Sequence, residues 1–126
     1  MSEILKTAAP LGRILIATIF VMSGLGKLSA YAGTQAYMEV VGVPGALLPL
    51  VIVIEVAAGL AIMVGWQTRP AALALAGFSI MSAVLFHFNF ADQIQSIMFM
   101  KNLSIAGGLL ILVAGGAGAW SLDNRQ

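Results

Sequence analysis

The sequence predicts an all-α, polytopic membrane protein: a four-transmembrane-helix bundle with a short interfacial helix between helices 1 and 2. Three observations predict it. Four apolar runs, at about 11–28, 46–66, 70–88 and 98–120, each have the length of a bilayer crossing, since ~20 apolar residues span ~30 Å of hydrocarbon. Apolar residues make up 60% of the 126 and charged residues 9%, against ~45–50% and ~25% in soluble domains. The connection Gln67-Thr68-Arg69 is so short that the second and third runs must be antiparallel neighbours. The chain is read as a single domain, 1–126.

Composition excludes several functions. A net charge of +1 gives no reason to propose nucleic acid or an acidic partner. The absence of cysteine excludes disulfides, thiol redox chemistry and thiolate-held iron–sulfur or zinc sites. One histidine cannot supply a bis-histidine haem site, and the expected metal set is none.

Residues 1–10 read as a short polar lead-in. Lys6 before an apolar run also fits the start of a secretory signal, but Arg13 interrupts the run and no clean Ala-x-Ala site follows, so residues 11–28 are read as transmembrane helix 1. Ser23, Gly24 and Gly26 keep its far end small, which lets another helix approach. Arg13 and Lys27 lie nearly four turns apart on roughly one face. Snorkelling to opposite surfaces suits Arg13, a topology anchor. It suits Lys27 less well, because Lys27 stands in the close-packed Gly24-Leu25-Gly26 segment.

Residues 29–45 are too polar to cross. Thr34 to Val41 can form two turns, stopped by Gly42 and Pro44, with Tyr31 and Tyr37 at the headgroup level. This short helix covers one end of the bundle; a lid over a ligand is the alternative. Helix 2, about 46–66, carries Pro49 where proline is tolerated near a helix start. Its one ionisable residue is Glu55, near the middle. A charge there faces protein or water and marks a candidate functional site, either as a register-fixing ion pair or as part of a ligand site. Ala58 and Gly59 share its face.

Pro70 opens helix 3, and Arg69 reads as a second topology anchor beside Arg13. Ser79, Ala83 and His87 share a face of helix 3. His87 is either a satisfied interfacial group or a site residue able to pass protons. Residues 89–98 read as a surface loop with a solvated Asp92. Helix 4, about 98–120, begins with Lys101 and Asn102, has a small-residue face at Ser104 and Gly108, and ends at an interfacial Trp120.

Lysine and arginine set the orientation. Lys6, Arg13, Arg69 and Arg125 fall on one side, and Lys27 and Lys101 on the other, which favours both termini in the cytoplasm. With that topology Lys27, His87, Lys101 and Asn102 meet at the outer surface. Glu55 lies about nine residues below it, or ~13 Å. A Lys27–Glu55 or Lys101–Glu55 pair is therefore feasible, with Gly24, Gly59 and Gly108 as a small-residue groove beside it. No nucleophile–base pair of recognisable spacing is present, so no catalytic residue is assigned.

The ordered set Gly12-Arg13, Ser23-Gly24-Leu25-Gly26-Lys27, Gly42-Val43-Pro44, Glu55-x-x-x-Gly59, Thr68-Arg69, His87-Phe88 and Lys101-Asn102 with Gly107-Gly108 resembles the DoxX family of small bacterial membrane proteins. The resemblance runs from about residue 12 to 122 and is closest to the short, uncharacterised inner-membrane members. It implies four transmembrane helices and a loose link to respiratory redox, through family members associated with quinol oxidase and thiosulfate–quinone oxidoreductase.

Two functional classes follow. One is a redox-associated subunit holding a quinone or similar amphipathic ligand among Lys27, Glu55, His87, Lys101 and Asn102, with no cofactor of its own and electrons from a redox partner protein. The other is a non-enzymatic carrier, assembly factor or scaffold. The expected partners are the lipid bilayer and either a redox protein or a second copy of the chain.

Overall fold

The computed structural model describes residues 2–124. Helix α1 spans Ser2–Ser29, α2 Tyr31–Val40, α3 Gly45–Val64, α4 Thr68–Phe86 and α5 Gln93–Gly115. A 3-10 turn at Leu122–Asn124 closes the described tail. The spans Lys6–Ser29 within α1, α3, α4 and α5 are long and apolar enough to cross a membrane, and there is no strand among the described residues. The fold is the four-span helical bundle that the apolar runs predict, with the short helix in its expected place.

Several boundaries differ from expectation, each for a local reason. α1 starts at Ser2 rather than near Leu11 and runs through Pro10. That proline forfeits one hydrogen bond to the carbonyl four residues back, and that residue, Lys6, is exposed. α2 opens at Tyr31, three residues before Thr34. α5 starts at Gln93 rather than near Met98, because Asp92 is its N-cap and not a freely solvated loop residue. The Asp92 carboxylate accepts the backbone N–H groups of Ile94 and Gln95 at 2.9 and 3.4 Å, two donors the helix leaves unpaired. α5 ends at Gly115 rather than Trp120, because Gly116 takes φ +80, a left-handed backbone angle that glycine adopts without strain.

α3 is not uniform. A 3-10 turn at Gly45–Leu47 leads into α-helix at Leu48–Val53, then a π-helical turn at Ile54–Ala58, then α-helix again at Gly59–Val64. A π-turn takes in one extra residue and rephases the helix, commonly at functional sites. Here it falls on Glu55.

Lipid is as apolar as leucine, so close packing rather than the hydrophobic effect must join these helices. Two glycines set the seam between α1 and α3. A Cβ at Gly24 would stand 2.5 Å from Val56 Cγ2, and one at Gly59 would stand 2.8 Å from Val21 Cγ2. α4 and α5 pair along their lengths, whereas α5 touches α1 lightly, with Gly108 against Ile16. The main core joins Ala17 and Phe20 of α1, Ile62 of α3, Ala72, Leu75 and Ala76 of α4, and Ala106 and Leu109 of α5. A smaller core of Met38, Leu48 and Ile52 seats α2 on α3. Gln35 donates to the Gly45 carbonyl at 3.0 Å, and the Tyr37 ring stacks on Phe86 at 5.3 Å. Phe88, Phe90 and Phe99 pack edge to face around the turn into α5.

Candidate functional site

Lys27 stands in the last turn of α1 and Glu55 in the π-turn of α3. Nζ lies 2.7 Å from Glu55 Oε1 and 2.6 Å from Ser23 Oγ, one turn back on α1. Glu55 is 3% exposed, while the Lys27 side chain keeps 25% of its surface. A buried carboxylate without a partner is costly; here the charge is balanced across the seam that Gly24 closes. Of the two lysines the sequence offers to Glu55, the structure uses Lys27. Lys101 is exposed and away from the pair, because its neighbour Asn102 points inward and successive residues lie about 100° apart around a helix.

Beside the ion pair lies a cavity of about 430 Å³ bordered by every helix of the bundle. That volume is in the range of small-ligand sites, ~300–1,000 Å³. Its polar lining comes from every helix: Ser23 and Lys27 from α1, Thr34 and Tyr37 from α2, Glu55 from α3, Ser79 and Ser82 from α4, His87 at the end of α4, and Asn102 from α5. The remainder is apolar, including Phe20, Ile54, Phe78 and Ile105. Several apolar lining residues also face outward at membrane depth: Ile19, Leu50, Met81 and Leu85 are all exposed. The cavity thus combines polar groups with apolar residues that reach the outer surface of the bundle. α2 contributes Thr34, Tyr37 and Met38 to its roof.

Of the residues singled out from sequence, Lys27, Glu55, His87 and Asn102 border this one cavity, and Lys101 does not. His87 terminates α4, and its Nδ1 lies 2.7 Å from Gln95 Oε1. Gly24, Gly59 and Gly108 also stand outside the lining. The space they leave is filled by Val56, Val21 and Ile16 respectively, so the expected groove beside the carboxylate is a packing seam. Thr34, Tyr37 and Ser82 were not singled out for the site. Ser82 is five residues before His87, and helical spacing alone does not separate it from the lipid face.

The other end of the bundle holds a second buried charge. Arg13 is 1% exposed and does not snorkel to the surface as expected. Its guanidinium donates to the carbonyls of Ile62 and Met63, at 3.3 and 3.0 Å, and of Ala119 and Trp120, at 3.1 and 2.8 Å. Ile62 and Met63 close α3, where carbonyls lack helical partners, although Ile62 also accepts the Gly65 N–H at 3.1 Å; the planar five-donor guanidinium suits this set of acceptors where an ammonium would not. The chain after Gly116 turns back under this clamp. Asp123 then accepts the backbone N–H groups of Gln67 and Thr68 at 2.8 and 2.9 Å, at the start of α4. Thr68 above all, then the Gln67 N–H and the nearby Arg13 charge hold Asp123 below the ordinary aspartate range. Arg69, the other expected anchor, is exposed and passes over Gly116. Arg125, counted with it for orientation, lies outside the described residues.

Comparison with known proteins agrees with this architecture. The DoxX family model matches residues 8–88. The chain is 50% identical over 123 residues to "Inner membrane protein YqjF" of Escherichia coli (strain K12), covering 98% of this chain and 95% of the relative. It is 37% identical over 122 residues to "Inner membrane protein YphA" of the same organism, covering 91% and 87%. No solved structure matches.

Proposed function

The chain belongs to the DoxX family, and from that premise we propose that it is an inner-membrane protein that binds a quinone or a similar amphipathic molecule in the cavity beside Lys27 and Glu55. One observation carries the reading: a cavity of about 430 Å³ is bordered by the Lys27–Glu55 pair and further polar groups together with apolar residues, several of them exposed on the outside of the bundle. A ring carbonyl beside the pair can accept a hydrogen bond from Lys27, whose ammonium has three protons, two of them directed at Glu55 and Ser23. Ser79, Ser82 and Asn102 offer further donors, and an isoprenoid tail can leave past Ile19 or Leu50 into lipid. His87, oriented by Gln95, can pass a proton toward the surface if the ligand changes oxidation state. The electrons for such a change come from a partner that carries a redox cofactor.

The names of the two relatives support the inner membrane as location. Exposed Lys6 and Arg69 at the end that holds both termini, with Lys27 paired inside the bundle, support both termini in the cytoplasm. A cysteine at Ser2 should then resist an impermeant thiol reagent in intact cells, while one at Ala91 should react. The reverse pattern would invert the orientation.

A second reading is favoured by the completeness of the Lys27–Glu55–Ser23 contacts: a self-satisfied pair can simply fix helix register in a carrier, assembly factor or scaffold. Mass spectrometry of protein gently extracted from its native membrane decides between them. A stoichiometric quinone or lipid-like molecule that co-purifies supports the ligand reading. An empty cavity together with a stoichiometric partner protein supports the scaffold.

A further inference from the structure

We infer that the cavity selects amphiphiles whose headgroup is uncharged, and that the Lys27–Glu55 pair sets this selectivity. The inference rests on the reading of the cavity as a ligand site. The lining contains one cation and one anion, in contact at 2.7 Å. The other polar groups that border it are Ser23, Thr34, Tyr37, Ser79, Ser82, His87 and Asn102, none of which carries a fixed charge. The lining therefore presents hydrogen-bond donors and acceptors with its fixed charges already balanced.

Charge balance has a definite consequence for the ligand. An anionic head that took the remaining Lys27 proton would set two negative charges against one cation, and one that drew Lys27 away would leave a carboxylate that is 3% exposed without its partner. A cationic head would set two positive charges against Glu55 or displace Lys27 from it. Either way one charge in the cavity is left unbalanced, which is costly away from water. A carbonyl or hydroxyl asks for neither: it can accept the remaining Lys27 proton, or bond with Ser79 or Asn102, while the ion pair stays closed.

Removing one member of the pair should convert the selectivity. In Glu55→Gln the cavity keeps Lys27 as an unbalanced cation and should favour an anionic head. In Lys27→Gln it keeps the carboxylate and should favour a protonated amine. Buried partners left unpaired discriminate strongly, so the change in preference should reach about tenfold or more.

The test uses full-length protein in nanodiscs at pH 7 with three single-chain probes at equal low mole fraction: dodecanol, dodecyl sulfonate and dodecylamine. Binding is read as the shift in Tm. Wild type should be stabilised by dodecanol and not by the charged probes. Glu55→Gln should respond to the sulfonate, and Lys27→Gln to the amine. If either single variant fails to fold, the double variant Lys27→Gln/Glu55→Gln, which strands no charge, should fold and keep the preference for dodecanol. A wild type that responds to the sulfonate or the amine as strongly as to dodecanol overturns the selectivity while leaving the cavity a ligand site. Wild type indifferent to all three overturns the ligand site itself.

Discussion

Lys27 Nζ and Glu55 Oε1 meet at 2.7 Å across the seam between α1 and α3, and the glycine one turn before the lysine lets the helices close on them. A Cβ at Gly24 would come within 3.3 Å of Glu55 Cβ. The ion pair and the packing seam are one construction. Either single neutralisation, Lys27→Met or Glu55→Gln, should destabilise the protein by up to the ~3–5 kcal/mol typical of breaking a buried pair, the lysine's partial exposure placing it toward the lower end. The double variant should lose less than the sum of the singles, measured by unfolding in mild detergent. Additive losses would mean that the two charges do not stabilise each other.

Gly24→Ala tests the seam independently of charge. The new methyl would lie 2.5 Å from Val56 Cγ2, so the helices must part or Val56 must move. A loss of ~1–3 kcal/mol is expected, as for other overpacked interiors. Val56→Ala added to Gly24→Ala should recover most of it. If the second substitution only adds to the damage, the contact with Val56 is not the cause.

Arg13 should be among the least replaceable charges in the chain. It serves carbonyls at Ile62, Met63, Ala119 and Trp120; Ile62 also accepts the Gly65 N–H, and each of the others left unpaired costs ~1–3 kcal/mol. Arg13→Met should cost at least ~3 kcal/mol, and Arg13→Lys should rescue it poorly because an ammonium cannot span the same acceptors. A chain ending at Gly118 removes two of the carbonyls. Arg13→Met should therefore cost less in that shortened chain than in the full one, measured as the difference in unfolding free energy.

Asp123 gives the tail a dependence on acid. Its carboxylate is held below the ordinary aspartate range by Thr68, Gln67 and Arg13. Its stabilisation is therefore present above that range and is lost as pH falls through the folded-state value. The Tm difference between wild type and Asp123→Ala should be constant near neutrality and shrink below about pH 4. A difference that grows on acidification would contradict the sign.

The four spans and the Lys27–Glu55 pair are legible in the sequence because both leave marks in composition: long apolar runs, and charges at depths where charge is rare. Glu55 stands out inside its run, and a lysine among small residues is its natural partner. Two other features left weaker marks. The start of α5 was present as Asp92-Gln93-Ile94-Gln95, which has the spacing of a capping box, but the polar residues around it read equally well as loop. The clamp at Arg13 had no sequence signal, because its acceptors are backbone carbonyls at 62–63 and 119–120, and every residue type has one. For the same reason the apolar chain from Ala117 to Trp120 continues helix 4 on paper, whereas in the fold it turns at Gly116 and lies beneath the guanidinium. The glycines were legible as small residues, but sequence does not say whether a small residue leaves room for a ligand or for a neighbouring helix.

Whether an amphiphile occupies the cavity bordered by Lys27 and Glu55 is read by photo-crosslinking a neutral single-chain alcohol that carries a diazirine near its head and mapping the modified residues by mass spectrometry. Occupancy should give adducts at Phe20, Ile54, Phe78 or Ile105, which line the cavity, and these should be lost when unlabelled alcohol competes. Adducts confined to the exposed, lipid-facing Leu15, Leu73 and Ile111, unchanged by competitor, would contradict it.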